Sequence, residues 1–311
     1  KIVSLSYLCF SISQMFQAGL KSIERVKIVS TITVTAFCVN VLLNAVFIFG
    51  LFGAPKIGIA GVALATTVSR IVELVFTVIY SYMQKDVKIR FSNLFKFRRI
   101  LTFDFLRYSM PALGNELVWG AAFTMYSVIM GHLGEDIVAA NSVVGVLRNL
   151  GTVVCFGMAY GGAIVLGKTM GSGQMELAQR NAVRLIKTTI LSGIIGSFLM
   201  YALHPVLPLL ADLTPQAQHY SDVLLIINCF SIIGAAINTV LICGVFRAGG
   251  DSKFGFVMDA IMMWGVSVPL GLISAFVLKL PPLWVYFILY LDEFEKMPVI
   301  IIHYFKKKWL K

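Results

Sequence analysis

The chain has 311 residues, 58% of them apolar and only 13% charged, with a mean hydropathy of +0.86. A water-soluble domain carries about a quarter charged residues and under half apolar ones, so a soluble enzyme is excluded, and the shortage of polar tracts excludes a disordered chain. The net charge of +11 would point to nucleic acid in a soluble protein, but here the location of the charges decides their meaning.

Apolar runs of about 20 residues, each long enough to cross a bilayer, predict nine helical spans. They fall at 3–20, 28–52, 58–83, 108–132, 136–165, 182–204, 219–245, 254–278 and 281–304. The first has no basic n-region, short apolar core and small-residue cleavage site, so it reads as a membrane helix and not a signal peptide. With Lys1 at its edge, the chain is expected to be a piece of a longer protein. The turns after spans 1, 3, 5, 7 and 9 hold 20 of the 26 Lys and Arg, whereas those after spans 2, 4, 6 and 8 hold only Lys56 and Lys279. This alternation follows the positive-inside rule and places the basic turns and the tail Lys306–Lys308 in the cytoplasm, facing anionic lipid.

Residues 84–107 interleave bases with Phe91, Leu94, Phe95 and Phe97, as an amphipathic segment on the cytoplasmic leaflet would. They are expected to link a three-helix group (1–83) to a six-helix group (108–311). Two cytoplasmic turns, GLKSIERVK (19–27) and GVFRAGGDSK (244–253), are alike and lie six spans apart. A same-side repeat of this kind implies two halves related by an axis along the membrane normal, as in parallel-repeat transporters, with about three helices preceding Lys1.

The stretch NVLLNAVFIFGLFGAPKIGIAGVALATTVSR (40–70) carries two asparagines, a Gly, a Pro and then G-x-x-G-x-A-x-A-T-x-x-S. In that form it resembles the fifth and sixth helices of multidrug and toxic compound extrusion (MATE) transporters. MPALGNE (110–116), GHLGEDIVAAN (131–141), GKTMGSGQMELAQ (167–179), GVFRAGGDSK and KKKWLK (306–311) resemble later parts of that family in the same order. The resemblance covers essentially the whole chain, from the fourth helix to the twelfth. It implies an all-α polytopic membrane protein, part of a two-lobe (6+6 helix) secondary transporter and a monomer once complete. The implied function is export of small cationic or amphipathic compounds across the cell membrane in exchange for Na⁺ or H⁺, with no other cofactor, by rocking of the lobes. A lipid-linked oligosaccharide flippase of the same superfamily and a non-transporting fragment or partner subunit are the alternatives.

Ionisable residues inside apolar spans are expensive and are functional candidates by default. Glu116, beside Asn115 and five residues after Pro111, is the leading one. The proline removes a backbone donor and frees carbonyls to line a cavity, and the family carries an acid in this helix that takes part in cation coupling. Asn40, Asn44 and Thr66 match places where one branch of the family holds an Asn, an Asp and a Thr near a cation; Asn44 cannot take a proton. Arg148 needs a partner, for which Glu116 or a substrate anion would serve. In the tenth helix many relatives have an acid three turns before the loop arginine. Here Ala236 stands there, with Asn238 nearby.

Arg70 and Glu73 are expected to pair, Asp259 to be an exposed carboxylate near a helix start, and Asp292, Glu293, Glu295 and Lys296 to border a water-filled cavity. The five cysteines lie in apolar runs without a CxxC pair and are expected to be reduced. His132, His204, His219 and His303 lack metal-ligand spacing and are read as interfacial. No phosphate-cradling loop, nucleophile motif or nucleic-acid patch appears, so neither an enzyme nor a nucleotide-driven pump is expected.

Overall fold

The computed structural model describes residues 2–53, 57–83, 98–207 and 212–310. Every span read from the sequence is helical. The chain divides into two compact units, residues 1–98 and 99–311.

The first unit holds α1 (Ile2–Ser22), α2 (Val26–Phe49) and α3 (Ile59–Met83), with α1 and α2 both packed on α3. Gly50 takes a left-handed φ of 71° and its amide caps α2 on the Val46 carbonyl, the usual reason for glycine just past a helix end. In the G-x-x-G pair that follows, Gly58 has φ 58°, while a Cβ at Gly61 would lie 2.6 Å from Phe47 Cβ. The small-residue pattern therefore reflects backbone geometry and close helix packing.

Among its described residues, the second unit holds six long helical segments. α4 spans Arg99–Gly131, α5 Glu135–Gly171 and α6 Met175–Ala202. α7 runs Pro215–Thr239 and continues as π-helix through Val240–Phe246. α8 starts at Ser252–Asp259 and continues to Val277 through two π-helical stretches, Ala260–Ser267 and Ile273–Val277. α9 is built of three pieces, Pro282–Tyr290, Asp292–Glu295 and Met297–Phe305. Residues 84–97 of the expected linker lie outside the described residues, and residues 99–107 are the first turns of α4.

Local chemistry sets the helix ends. Gly134, at φ 131°, makes the α4–α5 turn, and Glu135 and Asp136 follow in the first turn of α5, where a carboxylate meets the positive end of the helix. Thr214 caps α7 by accepting from the Ala217 amide, and Pro215 fills the first helical position, where a missing N–H loses nothing. α5, α6 and α7 pack closely through small residues. A Cβ at Gly193 would meet that of Ala236 at 2.7 Å, and Gly196 and Gly151 bring the backbones of α6 and α5 into contact.

Two apolar clusters fill the unit, one around Ile129, Leu224, Ile232 and Tyr286, the other around Leu166, Phe246, Met258 and Trp309. Trp309 is almost wholly buried and stacks on Tyr304, so the basic tail folds back onto the bundle. Large apolar side chains such as Phe198 and Phe230 remain exposed along the helices, as they would against lipid. Among the described residues, six helices are long and apolar enough to cross a membrane. Of the others, α1 is more polar through its serines and glutamines and α4 through Arg99, Asp104, Arg107 and Glu116, while the charges at 292–296 interrupt α9.

Candidate functional site

α4, α5, α7, α8 and α9 surround a cavity of about 90 Å³. One water needs roughly 10–15 Å³, so the cavity holds several. Its wall carries Asn115, Glu116, Arg148, Asn238, Asp259, Glu293 and Lys296 together with Trp119, Phe156 and Tyr160. It therefore joins four candidates from the sequence (Glu116, Asn115, Arg148 and Asn238) to three charges from helices distant in sequence.

Glu116 is half exposed and accepts from Arg247 Nη2 at 3.0 Å. The adjacent Asn115 is buried and works in both directions. Its Oδ1 accepts from Arg247 Nη2 at 3.3 Å and its Nδ2 donates to Asp259 Oδ2 at 2.6 Å. Asn115 thereby links the exposed pair on the cavity wall to a buried charge cluster. The π-helical widening of α7 begins just after Asn238 and Thr239 and turns Ile242 and Cys243 towards the cavity. Such widenings inside α-helices occur often at functional sites.

The buried cluster is centred on Lys296. Its Nζ lies 3.4 Å from Asp259 Oδ1, 3.5 Å from Asp292 Oδ2 and 3.6 Å from Glu293 Oε2. Lys296 and all three acids are buried. Asn238 Nδ2 donates to Glu293 twice, at 2.7 Å to the carboxylate Oε2 and at 2.7 Å to the backbone oxygen, tying α7 to α9 where the latter is broken. Buried charges persist only when paired and hydrogen-bonded, and this cluster supplies both.

Two expectations change and a third holds in part. Asp259 is not an exposed first-turn carboxylate: α8 begins at Ser252, which places Asp259 two turns in, on the face towards α4 and α9. Arg148 does not pair with Glu116, which is held by Arg247; its Nη1 donates to Tyr290 Oη at 2.9 Å, with the guanidinium 4.9 Å from the ring centres of both Phe123 and Tyr290. Cation–π contacts of this kind compensate part of the desolvation of a buried guanidinium. Of the four charges at 292–296 expected to border the cavity, Glu293 and Lys296 line it, Asp292 joins them in the ion cluster behind the wall, and Glu295 is not among the lining residues.

Asn40, Asn44 and Thr66 belong to the first unit. Asn44 Nδ2 donates to Asn40 Oδ1 at 3.0 Å and Asn40 Nδ2 to Ser69 Oγ at 3.3 Å, joining α2 to α3, while the Thr66 hydroxyl donates to the Val62 carbonyl of its own helix. Arg70 and Glu73 pair at 2.6 Å as expected. Sequence reading missed the rest of that seam. Gln17 of α1 donates to Glu73 at 2.9 Å, and Ser13 and Thr77 complete a buried polar contact between α1 and α3. The signal lay in polar residues spaced four apart on α1 and α3.

A family model described as MatE matches residues 111–273. The uncharacterized transporter YisQ of Bacillus subtilis is 25% identical over 300 residues, which cover 95% of this chain and 65% of YisQ. The probable multidrug resistance protein NorM of Rhizobium meliloti is 24% identical over 286 residues, covering 87% of this chain and 58% of NorM. The chain thus spans about three-fifths of the length of these relatives. Among solved structures, the eukaryotic MATE transporter AtDTX14 matches 99% of this chain and 68% of its own with a TM-score of 0.86 at 15% identity. A mutant of the Vibrio cholerae MATE transporter VcmN matches 98% of this chain and 69% of its own with a TM-score of 0.79 at 14% identity. The fold, the polytopic membrane character and the family are thereby settled: the chain belongs to the MatE family of multidrug and toxic compound extrusion proteins.

Proposed function

We propose that the complete protein exports small cationic or amphipathic compounds across the cytoplasmic membrane in exchange for H⁺ or Na⁺, by alternating access around the cavity of the second unit. The observation that carries this reading is the cavity itself, which joins aromatic surface to a surplus of acid. Trp119, Phe156 and Tyr160 offer flat apolar contacts, while the acids on and behind the wall, Glu116, Asp259, Asp292 and Glu293, outnumber the bases Arg148, Arg247 and Lys296. Apolar walls with a few placed charges suit amphipathic ligands, and the acidic surplus favours cations. A pyrophosphate, which a flippase would have to hold, would meet the wrong charge here. Several relatives carry names of multidrug resistance proteins, which supports the same substrate class.

Within this reading Glu116 is the coupling carboxylate. It is the half-exposed acid of the wall, and its partner Arg247 has a second acceptor in Asn115 to hold it when Glu116 binds a cation. A cation arriving from cavity water competes with Arg247 for Glu116, so substrate and coupling ion exclude each other. The basic turns and tail face the cytoplasm in this scheme. The test is drug accumulation in cells lacking other efflux pumps. Cells expressing the complete protein should retain less ethidium than cells carrying the empty vector, and equal retention at matched membrane expression contradicts the reading.

A further inference from the structure

We propose that Arg148 is a gate between two chambers of the second unit, and that an organic cation passes it by taking the place of the guanidinium on the rings of Phe123 and Tyr290. The proposal deepens the export reading above, since it names a residue that selects what crosses.

The acid-lined cavity is followed by a second, outer chamber of about 160 Å³, whose wall includes Tyr126 of α4, Asn141 of α5 and Tyr286 of α9. Arg148 and Asn149 belong to both walls. The two chambers succeed one another along the same three helices. On α4 the inner cavity touches residues within 115–119 and the outer chamber residues within 123–130. On α5 the corresponding stretches are 152–160 and 141–145, and on α9 Glu293 and Lys296 line the inner cavity, Tyr286 and Tyr290 the outer chamber. From 141 to 160 α5 rises about 28 Å at about 1.5 Å per residue, close to the ~30 Å of a hydrocarbon core. A nearly bilayer-long row of chamber-lining residues is thus interrupted at Arg148.

The interruption is a side-chain clasp. Arg148 lies over Phe123 and Tyr290, whose ring centres are 6.3 Å apart, and donates to Tyr290 Oη. The rings are wedged in place. Trp119 packs on Phe123 at 4.5 Å, while Tyr286 stacks on Tyr290 at 4.3 Å and accepts from Asn228 Nδ2 at 2.7 Å. Arg148 makes a single side-chain hydrogen bond among the described residues, so it is the movable member. It also has a second resting place. Tyr126 Oη is buried at the outer chamber without a hydrogen-bond partner among the described residues, and a guanidinium turned outward, with five N–H donors, would supply one.

The clasp responds to charge. Asp292 and Glu293 attract the guanidinium from the inner side. An organic cation in the inner cavity draws on the same acids and on the same ring faces, which attract any cation. It competes with Arg148 for both and drives it outward. A neutral compound does neither, so the gate opens for a quaternary ammonium or phosphonium and stays shut for a neutral compound of similar shape.

The test is thiol labelling of the complete protein, freed of its native cysteines, with a membrane-impermeant maleimide added on the side of the α4–α5 turn. Ser127→Cys reports the outer chamber and Thr239→Cys the inner cavity. With Arg148 in place Ser127→Cys should react and Thr239→Cys should react many-fold more slowly. Tetraphenylphosphonium should quicken Thr239→Cys labelling, and neutral triphenylphosphine oxide should not. Arg148→Ala should raise the Thr239→Cys rate several-fold and leave that of Ser127→Cys unchanged, while Arg148→Lys, which keeps a cation for the rings, should restore the slow reaction. An unchanged Thr239→Cys rate in Arg148→Ala, the same response to both phosphorus compounds, or a rise at both positions, as in a loosened bundle, overturns the proposal. Should Arg148→Ala fail to fold, Tyr290→Phe takes its place: it removes the hydrogen bond, keeps the ring and should also quicken Thr239→Cys labelling. Failure of the export reading shows differently: the complete protein would then move no tetraphenylphosphonium in proteoliposomes, while the labelling contrast stands.

Discussion

Glu116 accepts from Arg247 at 3.0 Å, which ties the middle of α4 to the residue that ends the π-helical stretch of α7. Because the carboxylate is half exposed to the cavity, the pair contributes little to stability and can be competed apart. Glu116→Gln keeps the size and a hydrogen bond but not the charge. Drug resistance and efflux of the complete protein should fall to background at unchanged membrane level, with equilibrium drug binding retained. Efflux at the wild-type rate would make the carboxylate structural.

Lys296 serves three buried acids, so its removal is the most destabilising single change in the cluster. Lys296→Met should lower unfolding free energy by about 3–5 kcal/mol, the range for breaking a buried ion pair from one side. Asp259→Asn should cost less, because it reduces the acidic surplus, although Asn keeps a single acceptor and can hold only one of the two donors, Asn115 Nδ2 and Lys296 Nζ. Denaturant titration of the purified protein in detergent checks the order; an equal loss for both variants contradicts it.

The glycine contacts between α5 and α6 make a separate prediction. The Gly196 Cα faces the Gly151 backbone with no room for a side chain. Gly196→Val should destabilise by about 1–3 kcal/mol as an overpacking change, whereas Gly145→Val, where a Cβ meets nothing within 4 Å, should not. Thermal stability of the two variants, measured side by side, decides between close packing and a loose interface.

Most of the helices were legible in the sequence because a bilayer-long apolar run has few other uses, and the order of motifs carried the family. What the sequence could not show was which charges meet. Asp259 and Lys296 are separated by 36 intervening residues, and nothing local pairs them; the pairing arises because α8 and α9 pack against one face of α4 and α7. Arg148 was misassigned for the same reason, since aromatic rings of α4 and α9 supply what a carboxylate was expected to supply. The π-helical stretches of α7 and α8 were invisible as well, because one extra residue per turn leaves an all-apolar segment unchanged in pattern.

Orientation follows from the basic turns. Cysteines introduced singly at Ser92 and Lys308 should resist a membrane-impermeant thiol reagent added to intact cells, and one at Glu135, in the α4–α5 turn, should react. Ser92 lies outside the described residues, so its placement here comes from charge alone. Reaction at 92 or 308 would invert the topology.

Countertransport in proteoliposomes tests the central claim most directly. The complete protein, reconstituted with tetraphenylphosphonium on one side, should move that cation against its concentration gradient when an opposing proton gradient is imposed, and should stop when the gradient is collapsed with an ionophore. A Glu116→Gln preparation should show no such movement under the same gradient. Movement that is identical with the gradient present, collapsed or reversed would contradict cation-coupled export.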